Sequence, residues 1–177
     1  LEKNQQLGGV PETTIPQDRF SSGVDEINAI LRPALDAERL HVRYGTALGN
    51  GTNLTALRER FDAVFIGIGL PEATSLGRVE GVVGALQFLA DVKSGDLPEC
   101  PSRVAVLGAG NTAMDTATTA LKLGARDVHI VYRRSFKEMP AWRQERDAFL
   151  DAGGNVLLLT QPVGYETDAS GRLTALR

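Results

Sequence analysis

The sequence predicts an α/β fold, a parallel sheet flanked by helices with a β-hairpin at its C-terminal end. Three observations predict it. Short apolar runs beginning at Val104, Val128 and Val156 alternate with helical patterns, as strands buried on both faces of a parallel sheet do. The strand–helix–strand–helix–strand order from Arg103 to Thr160 calls for a right-handed parallel unit, half of a doubly wound fold. The turn-rich stretch Thr167 to Gly171 lies between Val163–Glu166 and Leu173–Arg177, which is a hairpin signal.

The elements follow in order. Gly8-Gly9, Pro11 and Pro16 mark an irregular opening. Ser21-Ser22 can cap a helix, with Asp25 in the place of a capping-box acid. Val24, Ile27, Ile30 and Leu31 then give it one apolar face, and Pro33 is expected to kink or end it. A strand is expected over His41 to Tyr44, and a short helix over Leu54 to Arg60. Asp62 to Gly69 reads as a buried strand ending on glycine, where backbone can approach a ligand closely. Pro71 to Gly77 reads as a connection, and Val82 to Val92 as a helix with Leu86, Phe88 and Leu89 among its apolar positions. Gly95 to Ser102 is a loop. The helix after the first parallel strand runs to about Leu123, with Ala113, Ala117, Ala120 and Leu121 facing inward and Gly124 as its C-terminal cap. Pro140 is placed like a first-turn proline of the next helix, which continues to about Ala152 and closes on Gly153-Gly154.

The chemistry concentrates where the first parallel strand turns into its helix. Gly108-Ala109-Gly110-Asn111-Thr112-Ala113 has the G-x-G-x-x-A form of a dinucleotide-binding fingerprint, which makes the fold Rossmann-like. Gly108 allows the tight turn. Gly110 lacks a Cβ, so a pyrophosphate can approach the backbone. Ala113 lets the helix sit close to the strand. The unpaired amides of the first helical turn, near Asn111 and Thr112, then face the phosphates. Such a turn also occurs without a ligand, so its setting between two strands matters. The second strand, Asp127 to Tyr132, ends on Arg133-Arg134-Ser135. An NAD site carries an acid there to hold the ribose 2′-hydroxyl. Guanidinium groups instead bind a 2′-phosphate through charge-assisted hydrogen bonds. The reading is NADP(H). A solvated basic pair is the bland alternative.

Composition sets the limits. Hydrophobic residues at 42% and a net charge of −3 give no field pointing to nucleic acid or an anionic membrane. No apolar run reaches membrane-spanning length. Cys100 is the single cysteine; this chain alone builds no disulfide or iron–sulfur centre, and a reducing cytoplasm is the default setting. From the aperiodic start over 1–18 and a strand-like end at Leu173 to Arg177, an internal fragment is expected.

Gly108-Ala-Gly-Asn-Thr-Ala-Met-Asp115, Val131-Tyr-Arg-Arg-Ser135 and Met139-Pro-Ala141 resemble the pyridine-nucleotide domain of the small subunit of glutamate synthase. The same module occurs in dihydropyrimidine dehydrogenase and related flavin oxidoreductases. Phe61 to Gly69, Gly8-Gly9 and Ile15-Pro16 resemble that family's flavin-side segments. The resemblance implies residues 1–75 as part of an FAD-binding domain without its first fingerprint, and 76–177 as an NADPH-binding domain truncated at its C-terminus. It implies hydride transfer from NADPH to FAD, then electrons through iron–sulfur clusters to a partner domain or large subunit. Carried over by position, Gly108, Gly110, Asn111 and Thr112, with Ala109 between, hold pyrophosphate. Arg133, Arg134 and Ser135 hold the 2′-phosphate, Lys137 is a weaker candidate, and Gly69 is a flavin contact. Gly67-Ile68-Gly69 departs from the alanine–threonine–glycine form of the family, and the cysteine-rich cluster region is absent. Little FAD binding and no turnover are therefore expected of this chain alone, and a homodimer is an open arrangement.

No catalytic acid, base or nucleophile is required, because the cofactors carry hydride chemistry. His41, His129, Asp115 and Cys100 read as structural, Glu138 and Glu145 as an exposed helix face, and Trp142 as packing. A short-chain NADP-dependent reductase needs Tyr-x-x-x-Lys, and Tyr44, Tyr132 and Tyr165 are followed by Leu48, Phe136 and Ala169 instead. A non-enzymatic NADP(H)-sensing module remains as a different class of reading.

Overall fold

Backbone partners form a ladder in one part of the described chain and only scattered bonds in the other, and that difference decides which apolar runs become strands. The computed structural model describes residues 1–20, 22–69, 79–97 and 99–177. It divides into two compact units, Leu1–Leu70 and Pro71–Arg177. The expected connection over 71–77, the expected boundary between 75 and 76, and Ser21 of the expected cap lie outside the described residues.

The first unit holds α1 (Gly9–Thr14), α2 (Val24–Asp36) and α3 (Leu54–Arg60). The N-cap of α2 is Gly23, without a side-chain cap bond, so the expected Asp25 capping box does not form. Ser22 Oγ accepts from the Val24 amide at 3.3 Å instead. Pro33 does not end α2, which runs on to Asp36: proline removes one intrahelical bond, and here the last turn survives it. The apolar face of α2 finds no core, since none of its residues is buried. α3 matches its expected span, and Asn53 caps it by accepting from the Ala56 amide at 2.9 Å.

Neither expected strand of this unit forms. Residues 43–46 do exchange backbone bonds with the N-terminal segment, Glu2 N–H to Arg43 O and Thr46 N–H to Glu2 O, both 2.9 Å, but no ladder develops. Asp62 to Gly69 carries no strand, and Phe65 is 95% exposed. A strand exists only through its neighbours' hydrogen bonds, and among the described residues of this unit that run has none.

The second unit is built on β1 (Arg103–Leu107), β2 (Asp127–Val131) and β3 (Asn155–Leu157), parallel and in that spatial order. The register pairs Leu107 with Val131 and Val131 with Leu157. The helices are α4 (Ala85–Ser94), α5 (Asn111–Lys122) and α6 (Arg143–Asp151). Val106, Val128 and Ile130 on one sheet face meet Ala113, Ala117 and Ala120 of α5 and Phe149 of α6. The small stripe read from the sequence is therefore the contact stripe. Met114, 1% exposed, joins it. α5 stops in a Schellman arrangement, with Ala125 N–H bonded to Ala120 O and Gly124 N–H to Leu121 O, both 3.0 Å. α6 stops in the same way, through Gly154 N–H to Phe149 O and Gly153 N–H to Leu150 O. β3 is shorter than expected, with Leu159 beyond it at φ 54. The hairpin forms from β4 (Tyr165–Thr167) and β5 (Leu173–Leu176), antiparallel. Its second arm also bonds to the stretch before α4, through Leu173 N–H to Glu80 O at 2.9 Å.

Pro140 is not in the first turn of α6, which begins at Arg143 behind the N-cap Trp142. The residues just before that helix are held to the turn after β1 instead: Ala141 N–H bonds to Ala109 O at 3.1 Å and Trp142 N–H to Asn111 Oδ1 at 3.0 Å.

Candidate functional site

The candidate site occupies the C-terminal edge of the parallel sheet, where ligands of open α/β folds bind. β1 ends at Leu107 and turns on Gly108, whose φ of 113 lies in a region that side chains strongly disfavour. The turn is anchored sideways, because Gly108 N–H donates to Val131 O at 3.0 Å. Two residues beyond Val131 come Arg133 and Arg134, both exposed. The glycine turn and the arginine pair thus leave the sheet at one edge, from adjacent strands.

Gly110 is the N-cap of α5, with an extended backbone at φ −84, ψ 175. A Cβ built there meets no atom within 4 Å. Nothing in the protein's own conformation or packing demands glycine at that position. Behind it, the Ala113 and Met114 amides both bond to Gly110 O, at 2.9 and 3.1 Å. The Asn111 and Thr112 amides donate to no protein acceptor among the described residues. Two free amides at the positive end of a helix, beside open space at Gly110, are suited to an anion. Ala109 is 3% exposed, so it contributes backbone. The Asn111 side chain is not free, since its Oδ1 holds the Trp142 amide.

The segment after β2 is internally braced. Ser135 Oγ accepts from the Lys137 amide at 3.2 Å and donates to Glu138 Oε2 at 2.6 Å; Ser135 N–H donates to the same oxygen at 3.1 Å. This capping box starts a 3₁₀ turn over Phe136–Glu138. The Tyr132 hydroxyl ties that turn back to the sheet by donating to Glu138 O at 2.6 Å. The Ser135 hydroxyl, expected to hold phosphate, is therefore already engaged. The hydrogen bond from the Ser135 side chain is the largest influence keeping the Glu138 carboxyl below its ordinary range, with Arg134 adding attraction. Arg133, Arg134 and Lys137 remain exposed around this turn. Arg146 is engaged: its guanidinium lies 5.1 Å over the Phe136 ring and bonds to Asp147 Oδ1 at 2.6 Å.

Gly69 belongs to the first unit, at φ 71 in a described stretch without strand partners. His129 lies mid-strand in β2, its Nε2 2.6 Å from Asp127 Oδ1. Burial raises the Cys100 thiol above its usual range, which keeps it protonated and a poor nucleophile. A hollow of about 630 Å³ lined by Cys100, Ser102, Gly124 and Arg126 opens at the opposite end of the strands and takes no part in the site. Trp142, expected to pack, is 62% exposed instead, because its position in front of α6 lies outside the core stripe. The sequence carried no signal for the bond that holds its amide, because Asn111 lies thirty-one positions away.

Comparison with known proteins agrees with this geometry. Residues 10–174 match the pyridine nucleotide-disulphide oxidoreductase family. The chain is 36% identical over 151 residues to the NADP(+)-dependent formate dehydrogenase subunit beta of Moorella thermoacetica, covering 79% of this chain and 20% of that protein. It is 28% identical over 192 residues to the glutamate synthase [NADPH] small chain of Escherichia coli, covering 100% of this chain and 40% of that one. The chain thus spans well under half the length of these relatives. In fold it is similar to Mycobacterium tuberculosis FprA in complex with NADPH, at a TM-score of 0.67 and 15% identity, over 99% of this chain and 58% of that one. Among the described residues no helix is long and apolar enough to cross a membrane. With a fingerprint turn at the edge of a parallel sheet and a match over nearly its whole length, the chain belongs to the pyridine nucleotide-disulphide oxidoreductase family.

Proposed function

We propose that this chain is the NADP(H)-binding portion of a flavin-dependent oxidoreductase similar to the small subunit of glutamate synthase, working in the cytoplasm. The observation that carries the reading is Gly110: a glycine the protein does not need, beside two open amides, one strand away from Arg133 and Arg134. The names of the relatives, one NADP(+)-dependent and one NADPH-dependent, support the choice of nucleotide.

The residues divide the work. The Asn111 and Thr112 amides take the diphosphate, with the dipole of α5 behind them. Arg133 and Arg134 take the 2′-phosphate, with Lys137 adding positive charge at longer reach. Bound there, the nucleotide supplies a hydride, which FAD in the parent protein accepts before electrons pass to an iron–sulfur domain or large subunit. The chain's own contribution is to bind and orient. Flavin is assigned to the parent protein, of which this chain spans a part.

The test is a titration of NADPH and NADH against the wild type and the double variant Arg133→Ala, Arg134→Ala. The wild type is expected to prefer NADPH, and the preference to disappear largely in the variant. Equal affinity of the wild type for both nucleotides would overturn the assignment.

A further inference from the structure

We propose that Trp142 forms an apolar wall of the nucleotide site, its indole closing onto bound NADP(H) beside the diphosphate. The inference rests on the reading of the glycine turn as the dinucleotide site.

Trp142 is the single tryptophan of the chain, and at 62% exposure it serves no core. It is the N-cap of α6 yet gives no side-chain cap bond, at a position that favours Ser, Thr, Asp or Asn. Neither packing nor capping accounts for an indole there. Phe136, the other aromatic ring of this segment, already carries the Arg146 guanidinium; the Trp142 indole makes no such contact among the described residues.

The backbone beneath the indole, by contrast, is fixed to the glycine turn. Its own amide is held by Asn111 Oδ1 at 3.0 Å, and the amide before it by Ala109 O at 3.1 Å. The indole is therefore rooted on the residues that flank Gly110. A large flat side chain with two rotatable bonds loses little freedom on contact and brings both an apolar face and an N–H donor. Placed here, it shields the diphosphate from water on the side away from the helix. The diphosphate is common to NADP(H) and NAD(H), so the contribution is to affinity and not to the choice between them.

The experiment is calorimetric titration of NADP+ and NAD+ into wild-type chain, Trp142→Ala and Trp142→Phe, with indole emission and its quenching by acrylamide followed in parallel. The oxidised nucleotides are used because reduced nicotinamide absorbs where indole emits. NADP+ is expected to change the emission and to shield the indole from acrylamide. Trp142→Ala is expected to weaken NADP+ and NAD+ by the same factor, about three- to ten-fold, with Trp142→Phe recovering part of it and the ligand-free thermal midpoint unchanged. Wild-type binding with unaltered emission and acrylamide access overturns the role of Trp142 and leaves the nucleotide reading standing. Unaltered affinity in Trp142→Ala, or a lowered ligand-free midpoint, does the same. NADP+ that gives neither heat nor a midpoint shift overturns both.

Discussion

Two glycines two residues apart do different jobs, and the difference is measurable. Gly108 sits at φ 113, where a Cβ is strained whatever the surrounding space, so Gly108→Ala is expected to destabilise the chain by about 1–2 kcal/mol. Gly110 has ordinary dihedrals and open space. Gly110→Ala is expected to leave stability within about 0.5 kcal/mol while NADP+ affinity falls about ten-fold. Thermal melts beside a binding titration check both; a Gly110→Ala chain that binds as the wild type does would show that no ligand lies against Gly110. The sequence announced both glycines by spacing. It did not announce that Ser135 turns its hydroxyl to Glu138, because capping and phosphate binding draw on the same residue type. Nor did it reveal that Asn111 spends its side chain on the Trp142 amide, a partner thirty-one positions away.

At the scale of elements, periodicity and punctuation in the second unit were legible because each element finds its partner nearby in the chain. The α5 stripe of Ala113, Ala117 and Ala120 was readable since only small residues let a helix approach a sheet closely. The end of α6 shows how strict such fits are. A Cβ on Gly154 would lie 2.1 Å from Cζ of the buried Phe149 ring, whose exposure is 0%. Gly154→Ala is therefore expected to cost about 1–3 kcal/mol through overpacking, seen as a lower urea midpoint with an unchanged slope. Pro140 misled for a local reason: proline suits a helix start, but the two amides after it are claimed by Ala109 and Asn111, and the helix waits until Arg143.

At the scale of the whole molecule, the two units differ in how their apolar residues are used. The Asp62 to Gly69 run has the composition of a core strand yet leaves Phe65 bare, since hydrophobicity specifies that a segment should pair and not with what. The second unit has a buried centre at Ala117, Val128 and Ile130. Amide exchange is expected to be slow in β2 and α5 and fast over 62–69; protection of 62–69 as strong as that of β2 would contradict this division. Even in the second unit, Leu107 and Leu157 remain about 41% and 45% exposed, although parallel sheets are ordinarily covered on both faces. The bond from Gly108 to Val131 has a consequence of another kind. It locks the spacing between the two strand ends without involving any side chain. The loop after β2 can therefore be exchanged, guanidiniums for an acid, while the neighbouring turn keeps its shape. On the reading proposed here, coenzyme choice is an interchangeable part, mounted on a frame that natural variation can leave alone.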